Sequence, residues 1–186
     1  ANGDGMSAGW QGWSFHAASD VVSTGGSSGQ RGGFSRWEGI VAVVHSDQSR
    51  PASGRFSSVL WSPPRAIDEG TAAVSVTFDS HYRQGQSPQT AALVARVDGG
   101  EPFTVERSSA DRLDEEVEVV FDVPAAAQQI EVGWSYRDSS NNWYWMIDDV
   151  EIVEAEPVDA VPVLLSGAKP VVRPGSSAAL SVGGLR

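Results

Sequence analysis

Residues 142–152, Asn-Trp-Tyr-Trp-Met-Ile-Asp-Asp-Val-Glu-Ile, constrain the fold more than any other stretch. Trp143, Trp145 and Ile147 alternate with Tyr144 and Met146, which is the period of a strand with one buried face. Val150 and Ile152 fall on the opposite phase. An unbroken strand would therefore turn its apolar face over at Asp148-Asp149. One extra residue at that point, a β-bulge, restores the phase and leaves all five apolar residues inward. The spacing predicts such a bulge at Asp148-Asp149. Regular ladder pairing through both residues would contradict it.

The same period of two recurs upstream. Val74, Val76 and Phe78 alternate with Ser75, Thr77 and Asp79. Val117, Val119, Phe121 and Val123 alternate with Glu118, Val120 and Asp122, and Ile130, Val132, Trp134 and Tyr136 with Glu131, Gly133, Ser135 and Arg137. Half-buried strands of this kind build antiparallel sandwiches. Less regular runs at 39–45, 55–61 and 90–98 read as further strands. Asp98-Gly99-Gly100 predicts a hairpin turn, because glycine tolerates positive φ. Ser62-Pro63-Pro64 ends a strand, because proline cannot donate to a ladder, and 138–142 forms a polar loop between the last two strands. No segment has the three- and four-residue apolar spacing of a helix; 124–129 is the nearest, and it is short. The 20 Gly and 10 Pro lack a repeat period and fit many short strands joined by turns. The expected fold is all-β, an antiparallel two-sheet jelly-roll sandwich over 1–154. A linker (155–169) and a short β extension (170–186), the start of a second β segment or domain, follow.

The net charge of −11 is concentrated. Six acids against one Arg lie between Asp111 and Asp122, and six more with no base lie between Asp148 and Asp159. A chain this acidic, with one Lys and no basic stripe, is a poor partner for nucleic acid or an anionic membrane. No apolar run approaches the roughly 18 residues of a membrane span, so no membrane insertion is expected. Cysteine is absent, which removes disulfides and thiolate chemistry. The start at Ala1-Asn2-Gly3-Asp4 reads as a mature or excised end.

Catalytic patterns are weak. Gly25-Gly26-Ser27-Ser28-Gly29 matches G-x-S-x-G, but that motif needs a strand–turn–helix elbow, and here it lies in a Gly/Ser loop. His16, His45 and His81 lack metal-ligand spacing. In Asp79-Ser80-His81 and His45-Ser46-Asp47, adjacent strand residues point to opposite faces, so neither forms a triad alone. Glu115-Glu116 and Glu154/Glu156 read as solvated acids rather than a glycosidase pair. For the bulge two readings stand open. A structural calcium, which takes several oxygen ligands, would draw on Asp148, Asp149 and Asp79, with Asp4 as another oxygen donor. Alternatively, these carboxylates bond nearby backbone amides.

Seven Trp is a high number for this length. Trp134, Trp143 and Trp145 lie on alternating strands and are expected in the core. Trp10, Trp13, Trp37 and Trp61 sit in or beside less regular segments, where an aromatic face could stack on a sugar. His81-Tyr82-Arg83, followed by Gln84-Gly85-Gln86-Ser87, is the best polar and aromatic cluster at a strand end. Ligand-binding candidates are therefore Trp10, Trp13, Trp37, His81, Tyr82 and Arg83.

Trp145-Met146-Ile147-Asp148-Asp149-Val150-Glu151-Ile152 resembles the terminal strand, [WY]-x-I-D-[DN]-[VI]-x-[IVL], of jelly-roll accessory modules. These include MAM-like and cleaved-adhesin-type domains and calcium-containing carbohydrate-binding modules of bacterial glycosidases. Residues 9–15 and 54–63 resemble that group's opening and its L-x-S-P strand, and 76–82 its first long central strand. The similarity extends to modules attached to secreted actinobacterial hydrolases, including metallophosphoesterases. It implies a non-catalytic binding module, for carbohydrate or another cell-surface ligand, in a secreted or surface-bound bacterial protein. Its partner would be a glycan or a neighbouring domain of the parent protein. It also implies calcium near Asp148/Asp149, although no matching N-terminal ligand Glu is present. A structural module packing on a parent hydrolase, and a hydrolase in its own right, are the alternatives.

Overall fold

The computed structural model describes residues 12–24, 31–46, 54–140 and 143–157. Among the described residues ten strands form two antiparallel sheets. They are β1 (Ser14–Ala17), β2 (Ile40–His45), β3 (Phe56–Trp61), β4 (Arg65–Ala66), β5 (Ala73–Tyr82), β6 (Thr90–Val97), β7 (Phe103–Ser108), β8 (Arg112–Asp122), β9 (Gln129–Ser139) and β10 (Tyr144–Ala155). The first sheet runs β1-β2-β10-β5-β8 and the second β3-β9-β6-β7, with β4 paired to β9. The interleaved orders 2-10-5-8 and 3-9-6-7 are those of a jelly roll, as the sequence predicts. The linker and extension expected at 155–169 and 170–186 lie almost wholly outside the described residues; β10 itself runs to Ala155.

Alternation works as expected in the interior. Val74, Val76 and Phe78 on β5 meet Ile130, Val132, Trp134 and Tyr136 on β9, with Trp145 and Ile147 of β10 in the same core. Phe78 packs edge-on to Trp134, centroids 5.6 Å apart. Burying an aliphatic or aromatic side chain of this size contributes about 1.5–3 kcal/mol. The β6–β7 turn has Asp98 at φ 51° and Gly99 at φ 70°. Two successive positive φ values make the mirror-image turn whose twist suits a hairpin.

The bulge is present. Asp148 pairs with Asp79 and Glu151 with Thr77, so three residues advance on β10 against two on β5, and Asp149 takes φ 47°. Trp145, Ile147 and Ile152 consequently face the interior. The expectation fails for the other two apolar residues. Val150 remains 43% exposed at the sandwich edge, and Trp143 packs outside the main core.

One element differs from the sequence reading. A seven-residue helix, α1 (Ala18–Thr24), leads toward a 3-10 turn at Arg31–Gly33. Together they cover the outer face of the first sheet. Ala18, Val21 and Phe34 pack on Val41, Val43, Tyr144 and Met146. A helix this short gains its stability from docking rather than propensity. Its buried apolar pair, Ala18 and Val21, is too brief to register as periodicity. Segment 124–129 is a turn leading into β9 at Gln129, closed by the Ala127 amide donating to the Pro124 carbonyl (2.8 Å).

Candidate functional site

Of the ligand-binding candidates, Trp10 lies outside the described residues. Three others are corrected by burial. Trp13 is 2% exposed and packs on Trp145, His81 is 2% exposed, and Tyr82 is fully buried. β5 continues through Tyr82, so the supposed strand-end cluster belongs to the strand. The Tyr82 hydroxyl donates to Gln84 Oε1 (2.7 Å), and burial pushes its pKa well up. His81 Nδ1 accepts the Asp114 amide (3.1 Å), which leaves Nε2 to carry the proton and donate to the Tyr144 hydroxyl (3.2 Å). Trp37 is half-buried against the helix-covered cluster. Arg83 is likewise half-buried, and its guanidinium lies 3.6 Å from the Trp143 ring centroid.

At the bulge, Asp148 serves the backbone. Asp148 Oδ2 accepts the Glu38 amide (2.9 Å) and Oδ1 the Asp149 amide (3.0 Å). Asp79 accepts from Arg36 (3.2 Å) and lies within β5 rather than near its end. Burial pushes the Asp79 carboxyl up, against the opposing pull of Arg36. Among the described residues no three His, Asp or Glu side chains are grouped to hold a metal. Both Asp148 oxygens are thus taken by backbone amides, which is the amide-bonding arrangement at that residue.

Two surfaces are shaped to receive something. The first is an open groove of about 550 Å³ at the side of the sandwich. Here the inner face of the first sheet extends past the edge of the second. Phe15, Ala42 and Ile147 form one cross-strand rung. Residues 60–65 make the opposite wall, and Asp148, Asp149 and Arg65 stand among the lining residues. Phe15 and Ile40, on this otherwise inward face, are 49% and 58% exposed.

The second surface is the outer face of the β3-β9-β6-β7 sheet. Trp61 pairs with Gly133, and Gly133 with Val94. A Cβ on Gly133 would lie 2.8 Å from Trp61 Cε3, so the indole rests directly on the β9 backbone. Only glycine permits that approach. Arg96 stands over the same ring at 4.5 Å and grips Glu131 through two bonds of 2.7 and 2.6 Å. This fork pulls the Glu131 carboxyl below its ordinary range and pushes the guanidinium up. Two residues along β9 from Gly133, the floor continues with Ser135 beside Ala92. Beyond it, Arg107 and Arg137 flank a depression of about 200 Å³. An aromatic ring seated on the backbone next to charged hydrogen-bonding groups suits the apolar face and hydroxyl rim of a sugar. The sequence reading named Trp61 among the irregular tryptophans but did not choose it.

No protein-family model and no curated protein sequence matches this chain. Solved structures do. A carbohydrate-binding module, TmCBM61, solved with β-1,4-galactotriose, is 14% identical at a TM-score of 0.48, over 77% of this chain and 88% of that one. The K1 cleaved adhesin domain of Lys-gingipain from Porphyromonas gingivalis W83 is 17% identical at 0.41, over 77% and 91%. The N-terminal cellulose-binding domain of Cellulomonas fimi β-1,4-glucanase C is 15% identical at 0.38, over 82% and 95%. At such scores none of them transfers a residue role to this chain. No helix among the described residues is long and apolar enough to cross a membrane.

Proposed function

We propose that this chain is a non-catalytic glycan-binding module, with the outer face of the β3-β9-β6-β7 sheet as its ligand surface. The observation that carries the reading is Trp61 seated against Gly133 in contact with the Arg96–Glu131 pair. A rigid indole contributes contact area without ordering cost, and the neighbouring fork supplies oriented donors and acceptors. The closing-strand motif at 145–152 supports a place as an accessory part of a secreted bacterial protein, alongside a catalytic domain. The test is titration of the purified chain with neutral and acidic oligosaccharides, monitored by calorimetry and tryptophan fluorescence. Binding lost in Trp61→Ala but kept in Trp37→Ala is the expected result. A blank across the whole panel would sink the proposal.

The groove of Phe15, Ile40 and Val150 favours a second reading, in which the module packs on a neighbouring domain of its parent protein. An apolar rim of this kind loses its exposed surface when such a partner covers it. Copurification of the chain with the catalytic domain of its parent, abolished by Ile40→Asp, is the expected outcome under that reading.

A further inference from the structure

The charge on the proposed ligand face runs against that of the whole chain. Arg96, Arg107 and Arg137 project from its strands, and Glu131 is the acid that answers them, already committed to Arg96. Among the described residues neither Arg107 nor Arg137 has a carboxylate partner. Arg137 Nε donates to Ser135 Oγ (2.8 Å), which fixes the near end of its side chain and leaves the far nitrogens of the fork. Meanwhile the acids of 111–122 and those from Asp148 to Glu156 lie on β8, β10 and their flanks, in or beside the other sheet. A chain of net charge −11 thus presents two uncompensated guanidinium groups on one face.

Their placement relative to Trp61 is also set by the ladder. Gly133, beneath Trp61, and Arg137 are four residues apart on β9, a separation of about 13 Å along the strand. Arg107 lies on β7, in the rung of Ala92, and both arginines line the same depression with Thr90, Thr104 and Pro102. A ligand stacked on Trp61 must extend over the small side chains of Ala92, Val94 and Ser135 before it meets the arginines. That distance exceeds one sugar ring. Guanidinium groups recognise planar or tetrahedral oxyanions through paired N–H donors.

We propose that the glycan taken by this face is anionic, an acidic oligosaccharide with one neutral ring on Trp61 and a carboxylate or sulfate group between Arg107 and Arg137. This deepens the glycan-binding reading and rests on it. The face selects acidic over neutral chains and disfavours short ligands that cannot span from the indole to the arginines.

The experiment compares oligogalacturonate, a sulfated galactan oligosaccharide and a neutral galactan oligosaccharide on the full chain, at low and raised salt. It is repeated with Arg107→Gln/Arg137→Gln and with Trp61→Ala. The expected result is preference for at least one acidic ligand, and the two acidic arms tell carboxylate from sulfate. Affinity for it should weaken about tenfold in the double arginine variant and fall as salt screens the contact. Both arginines are exposed, so an unchanged melting temperature will certify the fold. Equal binding of neutral and acidic chains, or affinity indifferent to the double variant, overturns the anionic assignment and leaves the glycan reading intact. No binding of any of the three overturns both.

Discussion

Asp79 and Asp148 stand opposite each other on β5 and β10, and each is matched by a different residue of one loop: Arg36 for the first, the Glu38 amide for the second. That loop carries the chain from the 3-10 turn into β2 through Gly39 at φ 69°. The bulge acids therefore act as moorings for the segment that covers the first sheet. Asp148→Ala leaves the Glu38 amide without its carboxylate and should cost about 1–2 kcal/mol. The denaturation midpoint is expected to fall with an unchanged slope. A midpoint equal to that of the parent would show the loop to be held without Asp148.

Because both Asp148 oxygens accept amide protons, the bulge should not depend on a cation. The melting temperature is expected to be the same in excess calcium and in excess chelator. A rise with calcium that chelator reverses would support the calcium reading, with ligands drawn from outside the described residues.

Asp114 gives the fold a defined acid response. Burial alone would raise its carboxyl, but the Ser35 amide and hydroxyl (2.6 and 2.7 Å) and the Arg36 amide (3.2 Å) bring it below the ordinary value of 3.8. A group lowered in the folded state stabilises the fold above its unfolded pKa and loses that contribution as pH falls through the folded value. Asp114→Asn should therefore be less stable than the parent at pH 7, with the gap closing below about pH 3.8 as the parent protonates. Asp79, raised by burial, works in the opposite sense and favours the fold as pH falls. Thermal melts of parent and variant across acidic pH would check the sign. A gap that persists undiminished in acid would contradict it.

Gly133 separates packing from ligand contact. In Gly133→Ala the new methyl would lie 2.8 Å from Trp61 Cε3 and 2.9 Å from Val94 Cγ2. Overpacking of this kind costs about 1–3 kcal/mol. We expect the indole to lift from β9, with a changed tryptophan emission and weaker glycan binding, while the far-ultraviolet spectrum stays that of a β protein. Unchanged emission and affinity would show that Trp61 does not need its seat on the backbone.

The bulge was legible because the phase of Trp145 and Ile147 conflicts with that of Ile152 within one strand, and a conflict so local needs no knowledge of partners. The candidate site was not, because each of its parts is a cross-strand fact. Trp61 becomes a platform only when the register sets Gly133 opposite it, 72 positions later in the chain. His81 and Tyr82 read as exposed for the converse reason. Polar residues at the end of an alternating run resemble a loop, yet Phe34 and Gly33 from a distant segment close over the His81 ring. The seven-residue helix escaped because its inward face contains too few apolar positions to set a period.

Strands β9 and β10, the last of the described strands to be synthesised, occupy interior positions in the two sheets, β9 between β3 and β6 and β10 between β2 and β5. Until they are synthesised, the earlier strands have gaps where their neighbours belong. A nascent chain of this protein must therefore wait, its apolar faces unpaired, until residue 155 or so has emerged. Such late, long-range closure makes folding slow and aggregation-exposed. Letting both sheets close at once would suit this strand order better than folding piece by piece during synthesis.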